Sequence, residues 1–395
     1  MNSSLLFSIT WIATQPLAEY LLYKKLNRRG LDIRFALFSF DPRFSKETTD
    51  SIVRPISFSS MQNDAIKISD SKFNLLKSRS LYYILKDINC VLTRHIGKGT
   101  DWLIPKAIRK QKHSISHIVY VMNTVGANVG AGQPDIYLSP GKFWTQLLVE
   151  NKSFLTGLKK YHYPFITKEE KFNGIISNNG LLASLEIEDS INNINKEDVI
   201  KAYDIKDKYI VFCLEASSKY IDGYGNHRGP FFEWTINILE KIKEFFGDEY
   251  EILIKGHPFH YEKPYPWYDR KQIDINLFSK YGKIVRANDG YHTFRFAEFV
   301  ITGNSSVAYE VALCGSQSVV IANQESDYYL KDGIFRGGFF TPEFLGYTFK
   351  DWDDFVHNYK TLKKGFSEKE KQIYLENYCS KFDLEKLINL IKAIE

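Results

Sequence analysis

The stretch Ala297-Glu298-Phe299-Val300-Ile301-Thr302-Gly303-Asn304-Ser305-Ser306-Val307-Ala308-Tyr309-Glu310-Val311-Ala312-Leu313-Cys314-Gly315 contains a strand, a turn, a helix and a stop. Phe299 to Thr302 is a short apolar run, the pattern of a strand buried on both faces. Gly303 to Ser306 breaks it, a helix starts at the serines, and Gly315 ends that helix. A buried strand feeding a helix is half of a βαβ unit, which calls for a parallel sheet.

The same alternation extends outward. Upstream, Tyr209–Leu214 and Tyr250–Lys255 read as strands around an amphipathic helix, Phe231–Phe246, opened by Pro230. Downstream, Ser318–Ala322 is a further strand, and the chain from Trp352 reads as helical throughout. The first half repeats the theme. Leu5–Ala13 is a strand, Leu17–Leu26 a helix ended by Gly30, and Ile33–Phe40 a strand closed by Asp41-Pro42. Beyond a polar region (45–80) that is hard to place come strand Ile88–Thr93, helix Asp101–Lys112 and strand His117–Met122. A glycine-rich turn (124–132), strand Asp135–Leu138 and helix Phe143–Leu148 complete that half. Residues 186–199, polar and poor in aromatics, read as a linker. The expected fold is α/β, with two Rossmann-like domains facing a central cleft. Their expected spans are 1–190 and 191–350, with C-terminal helices over 351–395 packing back across both.

Composition agrees. A length of 395 residues suits two domains, and 44% hydrophobic with 25% charged residues is globular. The net charge of +5 is too small for a dedicated nucleic-acid binder. Cys90, Cys213, Cys314 and Cys379 lie far apart, without zinc or disulfide spacing, as expected of reduced thiols in a cytoplasm. No apolar run is long enough to span a membrane. Leu5–Ala13 lacks a basic leader, so a first strand is a better reading than a signal-peptide core.

Ligands of open parallel sheets bind beyond the carboxyl ends of the strands. There the chain places Lys255-Gly256-His257-Pro258, where Pro258 stops the strand and holds His257 extended. An imidazole or imidazolium at that point can donate to a departing phosphate, with Lys255 beside it, the alternative being a surface histidine in a turn. Asn304, Ser305 and Ser306 form either an anion site or an ordinary helix cap. Glu310 is too far along for a capping box and is expected to face the cleft, where a carboxylate suits ribose hydroxyls. The loop after Leu214 either offers Ser217, Lys219, His227 and Arg228 to donor phosphates or is a flexible, solvated connection.

The Lys-Gly-His-Pro and Gly-Asn-Ser-Ser segments, over roughly 205–325, resemble the donor half of GT-B glycosyltransferases. The similarity is to enzymes of bacterial surface polysaccharides: CDP-glycerol glycerophosphotransferases, polysialyltransferases and capsule Kdo transferases. Where the teichoic acid enzymes carry Asp-Tyr before the serines, this chain has Gly303-Asn304. The resemblance implies that His257 contacts the donor phosphate, Ser305 and Ser306 bind phosphate, and Glu310 meets the ribose or base.

The expected activity is inverting, metal-independent transfer from a nucleotide sugar, CMP- or CDP-linked before UDP-linked, to a cell-surface glycan or lipid-linked glycan. Alternatives are CDP-polyol phosphotransfer, nucleotide-sugar epimerisation, or glycan binding without catalysis. The nucleotide sugar is a co-substrate, and no separate cofactor is expected. Inverting transfer needs a base, for which Asp41 at a strand end is first choice and His95 and Asp135 alternatives. No P-loop, GxGxxG, Gly-x-Ser-x-Gly or His-Glu-x-x-His pattern occurs. Asp204/Asp207 precedes a strand and Asp351/Asp353/Asp354 opens a helix, so neither is a metal-binding strand end. Two basic clusters, Lys24/Lys25/Arg28/Arg29 and Lys106/Arg109/Lys110/Lys112, are either solvated helix faces or peripheral contacts with anionic lipid. Most of the 25 Tyr and 29 Phe belong to the cores, with Tyr261–Trp267 a candidate sugar-stacking segment.

Overall fold

A computed structural model describes residues 4–9, 16–38, 66–68, 85–94, 107–120, 134–143, 145–146, 174–215, 229–247, 249–257, 260, 273–286, 289–303, 305, 307–323, 348–362 and 367–394. Strands β1 (Ser4–Ile9), β2 (Asp32–Phe38), β3 (Ile66–Ile68), β4 (Cys90–Arg94), β5 (Ser116–Tyr120), β6 (Ile136–Ser139) and β7 (Ile175–Asn178) form one sheet. Its order is β3-β2-β1-β4-β5-β6-β7, parallel at every pairing. A second sheet contains β8 (Tyr209–Cys213), β9 (Glu251–Lys255), β10 (Lys283–Ile284), β11 (Val300–Thr302), β12 (Ser318–Ile321) and β13 (Thr348–Phe349). It runs β10-β9-β8-β11-β12-β13, again all parallel. Both sheets reverse direction beside their first strand, the Rossmann arrangement.

The chain divides into two compact units, Met1–Glu186 with Glu376–Glu395, and Ile187–Leu375. In the first, α1 (Pro16–Arg28) turns Ala18, Leu22 and Leu26 onto the sheet at four-residue spacing and ends before Gly30, whose φ is 79°. Leu387, Ile388 and Ile391 of α9 (Leu384–Ala393) complete this core. In the second, α4 (Pro230–Phe246) buries Phe231, Thr235, Ile238, Leu239, Ile242 and Phe246, one face at helical spacing. The same core takes in Trp352 and Phe355 of α7 (Trp352–Leu362).

Two expectations need correction. Residues 186–199, which begin where the chain passes from the first unit to the second, are helical and not a loop: they fall mainly in α2 (Ala183–Ile191) and α3 (Lys196–Tyr203). Their polar composition is that of helix caps: Asn195 accepts from the Asp198 amide while the Asp198 carboxyl receives the Asn195 amide, a capping box. Of the helix expected over 101–112, Ala107 and Ile108 are helical and Arg109 to His113 turn instead; the earlier residues lie outside the described set. The C-terminal region is helical but interrupted, as α7, α8 (Glu368–Tyr378) and α9. Additional elements are β3, which falls in the region 45–80, β7, β10, β13 and α5 (Gly290–Phe296).

Candidate functional site

With every strand parallel, the carboxyl ends of each sheet share one edge. In the second sheet the last paired row sets Lys255 opposite Cys213, Cys213 opposite Thr302, and Thr302 opposite Val320. Glu215 lies just past β8, Gly303 just past β11 and Asn323 just past β12. The sheet changes direction between β8 and β11, so Glu215 and Gly303 flank the point where Rossmann sheets open a crevice.

Three ionisable side chains are withdrawn from water at this edge: Glu215 is 6%, Lys255 9% and Glu310 7% exposed. Desolvating a charged group costs several kcal/mol, roughly, so such residues need compensation or a task. Lys255 Nζ donates to the Gly256 carbonyl at 2.8 Å. The Cys213 thiol is pushed up to about 12, first by burial, with Lys255 pulling it down and Glu310 pushing it up. Both side chains therefore act on the same point of the sheet.

Two glycines make room for them. A methyl group at Gly303 would overlap Glu215 Oε1, and one at Gly290 would sit 2.9 Å from Lys255 Cε. Glu310 was expected to face an open cleft. Instead Glu310 is 7% exposed, one of five buried residues of α6 (Val307–Leu313) with Ala308, Tyr309, Val311 and Leu313.

His257 is half-buried and turned into a local loop. Its amide donates to His260 Nδ1 at 3.1 Å, and the His260 amide donates to the His257 carbonyl at 2.8 Å. His260 Nδ1 is thus an acceptor, which leaves the neutral ring's proton on Nε2. Burial lowers the His257 pKa to about 3, with His260 and Lys255 adding to the effect. His260 is likewise lowered to about 3 by burial and Lys255. Of the two forms considered for His257, the uncharged imidazole is the one present near neutral pH. Ser305 behaves as a cap, its Oγ accepting from the Val307 amide at 3.4 Å.

The structure therefore brings Lys255, Glu310 and the unanticipated Glu215 to one sheet edge, with His257 and Ser305 just beyond their strands. Glu215 and His260 carry no role in the sequence reading, although Glu215 lies two residues past the end of β8, just as His257 lies two past the end of β9. Ser217, Lys219, His227, Arg228, Asn304 and Ser306 lie outside the described residues, as do Asp41, His95, the 124–132 turn and Tyr261–Trp267. Asp135 precedes β6, at the amino-terminal edge, where its Oδ2 accepts from the His117 amide at 2.7 Å. That is the wrong end of the sheet for an acceptor's base.

A buried carboxyl that was not anticipated, Glu19 of α1, accepts from Tyr120 Oη at 2.5 Å. In the first basic cluster Arg29 pairs with Glu385 at 2.5 Å, and Lys24 lies 5.3 Å from the Tyr20 ring centre. Among the described residues no group of three His, Cys, Asp or Glu side chains could hold a metal ion, and no helix is long and apolar enough to cross a membrane.

The sequence matches no protein-family profile, and no curated protein matches it. In structure the chain is similar to a UDP-GlcNAc 2-epimerase from Methanocaldococcus jannaschii, with TM-score 0.57, 13% identity and 100% of each chain covered. It is similar to a substituted form of the wall teichoic acid polymerase TagF, with TM-score 0.57, 13% identity, and 100% of this chain and 88% of that one covered. A Neisseria meningitidis UDP-GlcNAc 2-epimerase bound to UDP-GlcNAc gives TM-score 0.53 and 13% identity, with 100% of each chain covered. At these identities the likeness is one of fold: α/β, with two parallel-sheet Rossmann-like domains of GT-B type.

Proposed function

We propose that the second unit binds a nucleotide-activated sugar beyond β8, β9 and β11, and that the chain is an enzyme acting on the bond between sugar and phosphate. The observation that carries this reading is the burial of Glu215, Lys255 and Glu310 at the edge where the strand order reverses. Ionisable groups held out of water in such a place are suited to a charged ligand. Lys255 supplies positive charge near the phosphates. His257, neutral before binding, gives a ring N–H to a phosphate oxygen; an anion there favours the imidazolium and raises its pKa from about 3. A proton held at that point stabilises the departing phosphate. Glu310 and Glu215 are acceptors for sugar or ribose hydroxyls.

Once the anomeric carbon–oxygen bond opens, the sugar has two fates. Return to the same nucleotide after inversion at the neighbouring carbon is epimerisation. Capture by another hydroxyl is transfer. Epimerisation is the first reading, supported by likeness to UDP-GlcNAc 2-epimerases over the full length of both chains, and it favours a UDP-linked sugar over the CMP- or CDP-linked donor. Transfer to a cell-surface glycan is the second, supported by the His257-Pro258 and Ser305 segments and by the likeness to the teichoic acid polymerase.

Incubation with UDP-GlcNAc in deuterium oxide, without acceptor, separates them. Epimerisation breaks the carbon–hydrogen bond at the inverted centre, so the sugar gains deuterium there while remaining nucleotide-linked. Transfer leaves that hydrogen in place and releases UDP only when an acceptor is added. Absence of turnover with UDP-, CDP- and CMP-linked sugars, with and without glycan acceptors, contradicts both readings.

A further inference from the structure

At the opposite, amino-terminal edge of the second sheet lies a cavity of about 600 Å³. Its walls come from α5 (Arg295), the turn between α6 and β12 (Gly315, Ser316, Gln317, Ser318) and the first turns of α8 (Glu368, Lys369, Lys371). This volume falls within the range of small-molecule sites, roughly 300–1,000 Å³.

The charge is one-sided. Lys371 pairs with Glu368 at 2.8 Å, so those two offset each other. Arg295 and Lys369 have no carboxylate partner among the described residues. Arg295 is also held in place: its Nη1 donates to the Cys314 carbonyl at 2.7 Å, using one of five donors. Gly315, with φ 86°, permits this, since a Cβ there would lie 2.5 Å from Nη1. An anchored guanidinium with donors to spare, an ammonium group, Ser318 and the glutamines Gln317 and Gln372 line the same hollow, while the Ser316 hydroxyl donates to the Phe294 carbonyl. Guanidinium groups match phosphate oxygens in shape and ammonium groups match them in charge, while hydroxyl and amide groups suit a polyol.

We infer that this cavity is a second ligand site, taking a phosphorylated, hydroxyl-bearing small molecule between Arg295 and Lys369. It sits at the other end of the strands from Lys255 and does not depend on what binds there.

The test is calorimetric titration of the full chain with ribose 5-phosphate, using ribose as the control. Binding of ribose 5-phosphate but not ribose is expected, weakened at least tenfold in Lys369→Glu and in Arg295→Gln. Lys369 is exposed, so its substitution leaves folding intact. Affinity unchanged in His257→Ala places the ligand in this cavity and not at the other edge. The inference is overturned by no binding at 10 mM (roughly the weakest affinity of interest), by equal affinity for ribose, by equal affinity in Lys369→Glu, or by loss in His257→Ala.

Discussion

Glu215 occupies space that only a glycine at position 303 leaves open. Gly303→Ala must therefore displace the carboxyl or the strand end, at a cost of about 1–3 kcal/mol by the usual scale of overpacking. Because the carboxyl sits where the strand order reverses, turnover and nucleotide affinity are expected to fall by more than the change in melting temperature suggests. Titration calorimetry beside thermal unfolding checks this. His257 makes a separate demand: His257→Ala is expected to lower turnover at least tenfold, roughly 1.4 kcal/mol of barrier, with the melting temperature nearly unchanged. Steady-state rates at saturating substrate measure it, and an unaltered rate removes His257 from the chemistry. Lys255, His257 and Ser305 were legible in the sequence because each follows an apolar run closely. Glu310 was legible as a residue but not in its burial, which depends on how all faces of a short helix are covered.

Elements are joined by buried polar contacts that no local pattern announces. Glu19 is 1% exposed and receives the Tyr120 hydroxyl, tying α1 to the end of β5 across 101 residues of chain. Tyr120→Phe removes that hydrogen bond, which is expected to cost about 1 kcal/mol in urea unfolding. A change within error would mean that the bond adds nothing to stability. Such links explain what could and could not be read in advance. Strands β8, β9, β11 and β12 were legible as apolar runs bounded by breakers, and α4 by its Pro230 start. Two-residue strands such as β10 and β13 are too short to carry a period. The 186–199 segment looked like a linker because Asn195 and Asp198 cap a helix with the residue types that also make loops.

At the scale of the molecule, burial of neutral histidines couples stability to pH. His117 is 3% exposed; its Nε2 meets Thr93 Oγ1 at 2.8 Å, and burial lowers its pKa to about 3. Its ordinary value is 6.5, so between pH 6.5 and 3 the unfolded chain binds the extra proton. The stability due to the neutral ring is complete above 6.5 and declines as the pH falls. Going from pH 7.5 to 5.5 is expected to remove about 1.4 kcal/mol through this residue, a loss visible in urea midpoints and smaller in His117→Gln. An equal loss in that variant would exclude His117 as its source. The two sheets, both reversing beside their first strand, leave the central claim resting on the second: its carboxyl edge, lined by Glu215, Lys255 and Glu310, receives a nucleotide-activated sugar. The most direct test is the melting temperature of the full chain with saturating UDP, CDP or CMP, compared with Lys255→Met. A ligand at 100 times its Kd adds about 2.7 kcal/mol, so one nucleotide should raise the wild-type melting temperature by roughly 5 °C and the variant's hardly at all. No rise with any nucleotide, or the same rise in Lys255→Met, would contradict the account.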